Sequence, residues 1–214
     1  MNYFESVKDL IEKTPLVKIN DHPYRDKVRI FAKLEFYNPG GSIKDRLGMK
    51  LLEDAIQSNK ITEHGTIIEP TAGNTGIGLA VAALKTNIKV ICVVPEKFSQ
   101  EKQVLMKALG ATVVNTPSEL GMVGAIEKAK ELQKEIPDSY CPLQFENEAN
   151  PLTYYETLAP EIMEDLNGNI DIFISGAGSG GTFAGAARYF KEKNPNVKTV
   201  IVEPEGSILN GGEP

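Results

Sequence analysis

The sequence is poor in the features that mark secreted, membrane-spanning or nucleic-acid-binding chains. Its 214 residues include two cysteines, Cys92 and Cys141, which form no Cys-x-x-Cys pair and lie in apolar or strand-like surroundings. That pattern excludes a disulfide framework and suits a reducing compartment, with both thiols in the core. Positive charge is in deficit, 23 Lys and Arg against 29 Asp and Glu, for a net charge of −6. Such a field repels polyanions, so the partners expected are small molecules rather than nucleic acid or an anionic membrane. Long apolar runs are absent. The longest, 77–84, is rich in small residues, is closed by Lys85 and is too short to span a bilayer. The first nine residues carry acidic charge at once and lack the apolar stretch of a secretory signal, so cytoplasmic residence is the default expectation. Internal repeats and low-complexity tracts are lacking as well. What is present is ordinary globular composition, 41% hydrophobic and 24% charged, which excludes disorder of the whole and supports a sizeable core.

Short β-branched runs bounded by Pro, Gly or Asn alternate with longer amphipathic segments, the pattern of β/α units in a mainly parallel sheet. The spacing predicts strands over 29–34, 66–69, 89–94, 112–115, 171–175 and 199–203. It predicts helices over 43–58, 75–86, 100–109, 123–135, 153–166 and 182–193. Most of the strands are continuous apolar runs, as expected where both faces are covered. Ligands of open parallel sheets collect at the carboxyl ends of strands, and three glycine-rich joints lie there.

The first joint, Asn38-Pro39-Gly40-Gly41-Ser42-Ile43-Lys44-Asp45-Arg46, places a lysine in the first turn of a helix. A helix N-terminus disfavours positive charge, so a partly desolvated amine there has a lowered pKa and can form a Schiff base. The plainer reading is a solvent-facing lysine paired with Asp45 or a neighbour. The second joint, Glu69-Pro70-Thr71-Ala72-Gly73-Asn74-Thr75-Gly76, offers backbone N–H groups, two hydroxyls and an amide at a helix start, which suits a carboxylate. It also reads as a structural turn. The third, Ser175-Gly176-Ala177-Gly178-Ser179-Gly180-Gly181-Thr182, lets backbone approach a phosphate closely, and without a following Gly-Lys-Thr/Ser it is not a nucleoside-triphosphate loop. Gly176, Gly178 and Gly181 also spell G-x-G-x-x-G, with Glu203 ending the next strand, so a nicotinamide dinucleotide site competes for this stretch. The dinucleotide reading leaves the other two joints unused.

At these residues the sequence resembles the cysteine synthase and cystathionine β-synthase family of pyridoxal-phosphate enzymes, fold type II. Segment 38–46 is similar to the family's cofactor-lysine segment, 71–76 to its substrate loop and 178–182 to its phosphate loop, in the same order and spacing. The resemblance implies an α/β fold of two open, twisted, mainly parallel sheet domains, tryptophan synthase β-like. The larger domain would be built from 1–43 and 150–214, and the smaller, mobile one from 44–149, with the active site between them. It implies that Lys44 carries pyridoxal 5′-phosphate and then removes the Cα proton, and that Asn74 hydrogen-bonds the cofactor's 3′ oxygen. Thr71, Ala72, Gly73, Asn74 and Thr75, helped by Gln144, would hold the substrate carboxylate, although Gln144 alone reads as a strand-end residue satisfying loop backbone. Gly178, Ser179, Gly180, Gly181 and Thr182 would cradle the phosphate.

The implied chemistry is β-replacement on O-acetylserine, or serine, by a thiol. Homocysteine gives cystathionine, the expected reaction, and sulfide gives cysteine. Ala72, where cysteine synthases usually have Ser, and the segments 150–155 and 206–212 look most like the bacterial O-acetylserine-dependent cystathionine β-synthases. The family is usually dimeric, and its cysteine synthases can bind the C-terminal tail of serine acetyltransferase, which leaves a catalytically silent peptide-binding scaffold as a further possibility. Family domains continue past Pro214, where the group contacting the pyridine nitrogen is expected, so the C-terminal domain reads as incomplete, with apolar sheet uncovered and weakened cofactor binding. No haem-binding extension is expected. His22 and His64 read as solvated loop residues, and Glu146 and Glu148 form no convergent set, so no metal is expected.

Overall fold

The structure, a computed structural model, describes residues 3–207, so positions 208–212 of the segment compared above lie outside the described residues. The chain divides into two compact units, one ending at Ala149 and the other beginning at Asn150.

The first unit starts with a hairpin, β1 (Leu16–Ile19) antiparallel to β2 (Ile30–Lys33), with Leu16 opposite Lys33. The β1 strand was not expected, because four partly exposed residues interrupted by Lys18 give neither an apolar run nor a clean alternation. Then follow α1 (Lys44–Gln57), β3 (Thr66–Pro70), α2 (Asn74–Ala82), β4 (Lys89–Pro95), α3 (Gln100–Ala108), β5 (Thr112–Thr116), α4 (Gly121–Glu135) and β6 (Ser139–Tyr140). Strands β3 to β6 form one parallel sheet in the order β5-β4-β3-β6, with Glu69 beside Cys92 in register. The two-residue β6 is too short to leave a periodic signal. Every residue of β3 is buried. Successive side chains of a strand point to opposite faces. Ile68 and Val93 pack with Ala125 and Ala129 of α4 and with Cys141, so Glu69 and Cys92 face the other side. There α2 lies so close that a Cβ on Gly76 would stand 2.9 Å from Cys92 Sγ.

Helix α2 stops at Ala82 rather than running to 86. Lys85 takes a left-handed φ of 58°, which is incompatible with further helix, and the Thr86 hydroxyl donates to Ala83 O at 2.7 Å in the turn that follows.

In the second unit the helix expected over 153–166 is two, α5 (Ala149–Glu156) and α6 (Leu158–Asp165), broken at Thr157. Pro160 explains the break. It has no N–H to give to the carbonyl four residues back and its ring clashes there, but it is tolerated in the first turn of a new helix. A parallel pair follows, β7 (Ile172–Gly176) and β8 (Lys198–Val202), connected through α7 (Gly181–Lys193). Phe173 packs against Phe190 with ring centroids 5.0 Å apart and against Phe183 at 6.2 Å. Glycine lets α7 lie on α5, since a Cβ at Gly185 would enter the Pro151 backbone. Cover on both faces holds for β3 but not for this pair, in line with the uncovered sheet expected of the C-terminal domain: Ile172, Ile174, Val200, Ile201 and Val202 are 42 to 61% exposed. Among the described residues no helix is long and apolar enough to cross a membrane.

Candidate active site

Lys44 is the first residue of α1, and the turn before it is held by a buried polar network. The fully buried Arg46 guanidinium grips Glu35 with two bonds, Nε to Oε2 at 2.8 Å and Nη2 to Oε1 at 2.9 Å. The Thr14 hydroxyl donates to the same carboxylate at 2.5 Å. Asn38 Nδ2 donates to Glu35 O at 2.9 Å and to Glu35 Oε2 at 3.1 Å, while Asn38 Oδ1 accepts the Glu12 N–H at 3.0 Å. The Asp45 carboxylate turns back to accept the Gly40 N–H, and a side chain at 40 would collide with it. Ser42 Oγ accepts the Lys44 N–H at 3.1 Å and closes the first turn. Such bidentate, charge-assisted bonds hold geometry as well as energy. Asp45 is thus engaged with the turn.

Helix α2 completes the mount. Glycines at the crossing of α1 and α2 bring the two backbones into contact, for a Cβ on Gly78 would fall on Lys44 O and one on Gly48 would fall on Gly78 itself. The side chain of Lys44 is half-buried. Burial pulls its amine down to about 8 from 10.5, partly opposed by the charge of Glu69. A sizeable neutral fraction near neutral pH is what a nucleophilic amine requires.

The second joint leaves β3 at Pro70. Thr71 N–H donates to Val93 O at 2.9 Å, and Thr71 Oγ1 accepts the Gly73 N–H at 3.0 Å. Gly73, at φ 156°, precedes the first turn of α2 in a conformation that a side chain would strain, and the Lys102 side chain packs beside it. Ala72 and Asn74 are exposed, whereas Thr71 and Thr75 are buried. The Thr75 hydroxyl donates to Gln144 Oε1 at 2.8 Å across 69 positions of sequence, which brings these two residues together. Behind it stands Glu69, 0% exposed, accepting the Leu143 N–H at 3.0 Å and the Gln144 N–H at 3.1 Å. Sequence reasoning assigned Glu69 nothing. One signal was available: a carboxylate inside the otherwise apolar run Thr-Ile-Ile-Glu-Pro of a covered strand. Burial raises Glu69 to about 7, with the Gln144 and Leu143 bonds and the Lys44 charge acting the other way. Both thiols are buried and inert, each pushed up to about 12 by burial and by Glu69.

The third joint belongs to the second unit. β7 ends at Gly176, Gly180 is left-handed at φ 80°, and α7 begins at Gly181. A Cβ on Gly178 or Gly180 would meet nothing within 4 Å, so packing does not demand glycine there. At Gly181 it does, because the Asn150 side chain fills that space while its Nδ2 donates to Ser179 Oγ at 3.0 Å. His64, Glu146 and Glu148 are exposed, and among the described residues no group of side chains is arranged to hold a metal ion.

A family described as pyridoxal-phosphate dependent enzyme matches residues 7–212. The chain belongs to this family. Pyridoxal-phosphate dependence accordingly displaces the nicotinamide reading of Gly176, Gly178, Gly181 and Glu203. The O-acetylserine dependent cystathionine beta-synthase of Bacillus subtilis is 58% identical over all of this chain and 70% of its own length. A cysteine synthase of Helicobacter pylori (strain J99) is 59% identical over 98% of this chain and 69% of that one. The crystal structure of an O-acetylserine dependent cystathionine beta-synthase from Helicobacter pylori superposes with a TM-score of 0.92 at 56% identity, covering 100% of this chain and 71% of that one. The α/β fold of these pyridoxal-phosphate enzymes is therefore that of this chain.

The residues fit the cofactor. An aldehyde needs a deprotonatable amine, and Lys44 has one on a rigid turn. A phosphate needs backbone N–H groups with open space above them, and the approach to the 13-residue helix α7 provides both, with room at Gly178 and Gly180.

Proposed function

We propose that this chain catalyses β-replacement on O-acetylserine by a thiol, with homocysteine as acceptor and cystathionine as product. The observation that carries this reading is the desolvated Lys44 amine, mounted on the same unit as the Thr71–Thr75 loop and the Gln144 carboxamide that loop engages. The relatives' names support the substrate class. They divide between cystathionine β-synthase and cysteine synthase, so the acceptor rests on Ala72.

Bound pyridoxal phosphate supplies the electron sink that stabilises negative charge at the substrate Cα. Lys44 would be the amine that holds the cofactor and the base that takes the Cα proton, its lowered pKa bringing a neutral fraction of Nζ, able to accept that proton, within reach near neutral pH. The N–H groups of Ala72 and Asn74, the Thr71 hydroxyl, the Gln144 NH2 group and the Thr75 hydroxyl, on exchanging Gln144 Oε1 for substrate, hold the α-carboxylate and so set the Cα–H direction, while the Gly73 N–H closes the loop on Thr71 Oγ1. The Asn74 carboxamide, exposed at the loop tip, binds the cofactor's 3′ oxygen. Gly178, Ser179, Gly180, Gly181 and Thr182 hold the phosphate. The exposed methyl of Ala72 leaves space that a hydroxymethyl would narrow, which favours the bulkier thiol.

The test is product formation from O-acetylserine with homocysteine and with sulfide, alongside borohydride reduction and peptide mapping. Cofactor reduced onto Lys44, cystathionine as the faster product and loss of both in Lys44→Ala are expected. Label on another lysine overturns the mechanism. Faster cysteine formation, or an Ala72→Ser variant with unchanged acceptor preference, overturns the acceptor assignment and favours cysteine synthase.

A further inference from the structure

The chemistry proposed above leaves Glu69 without a task, although it is an acidic side chain buried behind the loop. Burying a carboxylate is costly unless its hydrogen bonds return the loss. Glu69 receives two N–H bonds from consecutive residues, Leu143 at 3.0 Å and Gln144 at 3.1 Å, in a turn where Leu143 takes a left-handed φ of 53°. The Gln144 side chain bonds to it as well. Two convergent donors need two acceptor oxygens on one planar group, which a carboxylate has and a carboxamide lacks. Gln144 then accepts the Thr75 hydroxyl at 2.8 Å, in the first turn of α2. The strand end before the loop, the turn at 143–144 and the helix after the loop are thereby joined through one carboxylate. The charged and titratable groups acting on Glu69 or acted on by it are Lys44 from α1, Cys92 from β4 and Cys141 from the segment after β6.

We propose that Glu69 is a positioning residue for binding of the amino-acid substrate: it sets Gln144, and through Gln144 it sets Thr75. The proposal rests on the assignment of Gln144 and Thr75 to the substrate carboxylate. Glu69→Gln keeps the shape but turns an NH2 group toward a backbone N–H, so the relay is lost while the volume is kept.

The experiment titrates the cofactor-loaded chain with O-acetylserine and follows the visible absorption of the cofactor, which reads binding apart from turnover. Glu69→Gln should weaken amino-acid binding at least about ten-fold, with cofactor content per chain and KM for the thiol unchanged. Thr75→Val should weaken it too, and the double variant should be no weaker than the worse single, because both cut one relay. Wild-type affinity in Glu69→Gln, or effects that multiply in the double variant, overturn the proposal. Should Glu69→Gln fail to fold, Glu69→Asp, which keeps both oxygens but withdraws them from the Leu143 and Gln144 N–H groups, decides in the same way. A wild-type chain whose spectrum responds to no amino acid overturns the function proposed above and this inference with it, whereas a responsive wild type and an equally responsive Glu69→Gln overturn the inference alone.

Discussion

The joints after β3 and after β7 share one grammar, parallel strand, glycine-rich turn, helix, yet their glycines do different work. After β3 they are demanded by packing. Gly73 sits at φ 156°, Gly76 lies against Cys92 and Met106, and Gly78 lies on the backbone of Lys44. After β7 the space above Gly178 and Gly180 is open, and Gly181 alone among the loop's last four glycines is packed against a side chain. The surrounding sheets differ in the same sense, β3 wholly buried and β7 half bare. The comparison teaches that glycine near a strand end marks either a close protein contact or a place kept open for something else. The sequence pattern does not separate the two; the space around each missing Cβ does.

The widest gap between the regions should appear in stability. Gly78→Ala gains about 1 kcal/mol of helix propensity. Against that, its methyl must enter the Lys44 carbonyl, and overpacking of backbone on backbone costs about 3 kcal/mol or more. Urea denaturation should therefore show a net loss of at least about 2 kcal/mol; a stability equal to wild type would break the argument that this crossing positions Lys44.

Charge separates the regions next. The first holds Lys44 at about 8 and Glu69 at about 7, while the loop 176–182 has no titratable side chain. Because the Lys44 pKa is lowered, its amine is protonated and unreactive below pH 8 and free above it. Amine-selective labelling of the cofactor-free chain should reach half its maximal rate at Lys44 near pH 8, against near 10.5 for an ordinary lysine. A midpoint at the ordinary value would remove the desolvated amine from the mechanism.

A smaller effect tests the open loop. Gly178→Ala should leave stability within about 0.5 kcal/mol and weaken pyridoxal-phosphate binding at least ten-fold, about 1.4 kcal/mol, read by absorbance titration. Lost stability with unchanged binding would reverse the distinction between the joints. Smallest of all, Ile174→Thr on the bare face of β7, 61% exposed, should alter the denaturation midpoint by no more than about 0.5 kcal/mol. A larger loss would mean that this face is covered in solution.

Much of the architecture was legible. The runs at 66–69, 89–94 and 112–115 and the helix over 100–109 appear within one or two residues of their expected limits, because a covered parallel strand is a continuous apolar run with sharp boundaries, whereas the helix expected over 75–86 ends four residues early. The missed elements share a cause. β1 and β6 exist through pairing with distant partners, Leu16 with Lys33 and Ser139 with Thr66, and have no strong local pattern of their own. The break at Thr157 is written in Pro160, although the apolar periodicity continues across it.

For the site, sequence alone determined which residue types stand at each joint, and so the lysine, the Thr71–Gly76 loop and the glycine turn, since these depend on local order along the chain. Tertiary structure decided which of them are joined and which groups hold them there. Arg46 meets Glu35 across 11 positions, Gln144 meets Glu69 across 75, and Lys44 loses water because other segments fold over it. Burial and convergent hydrogen bonding are properties of chain segments brought together in space, and no local pattern of residues encodes them.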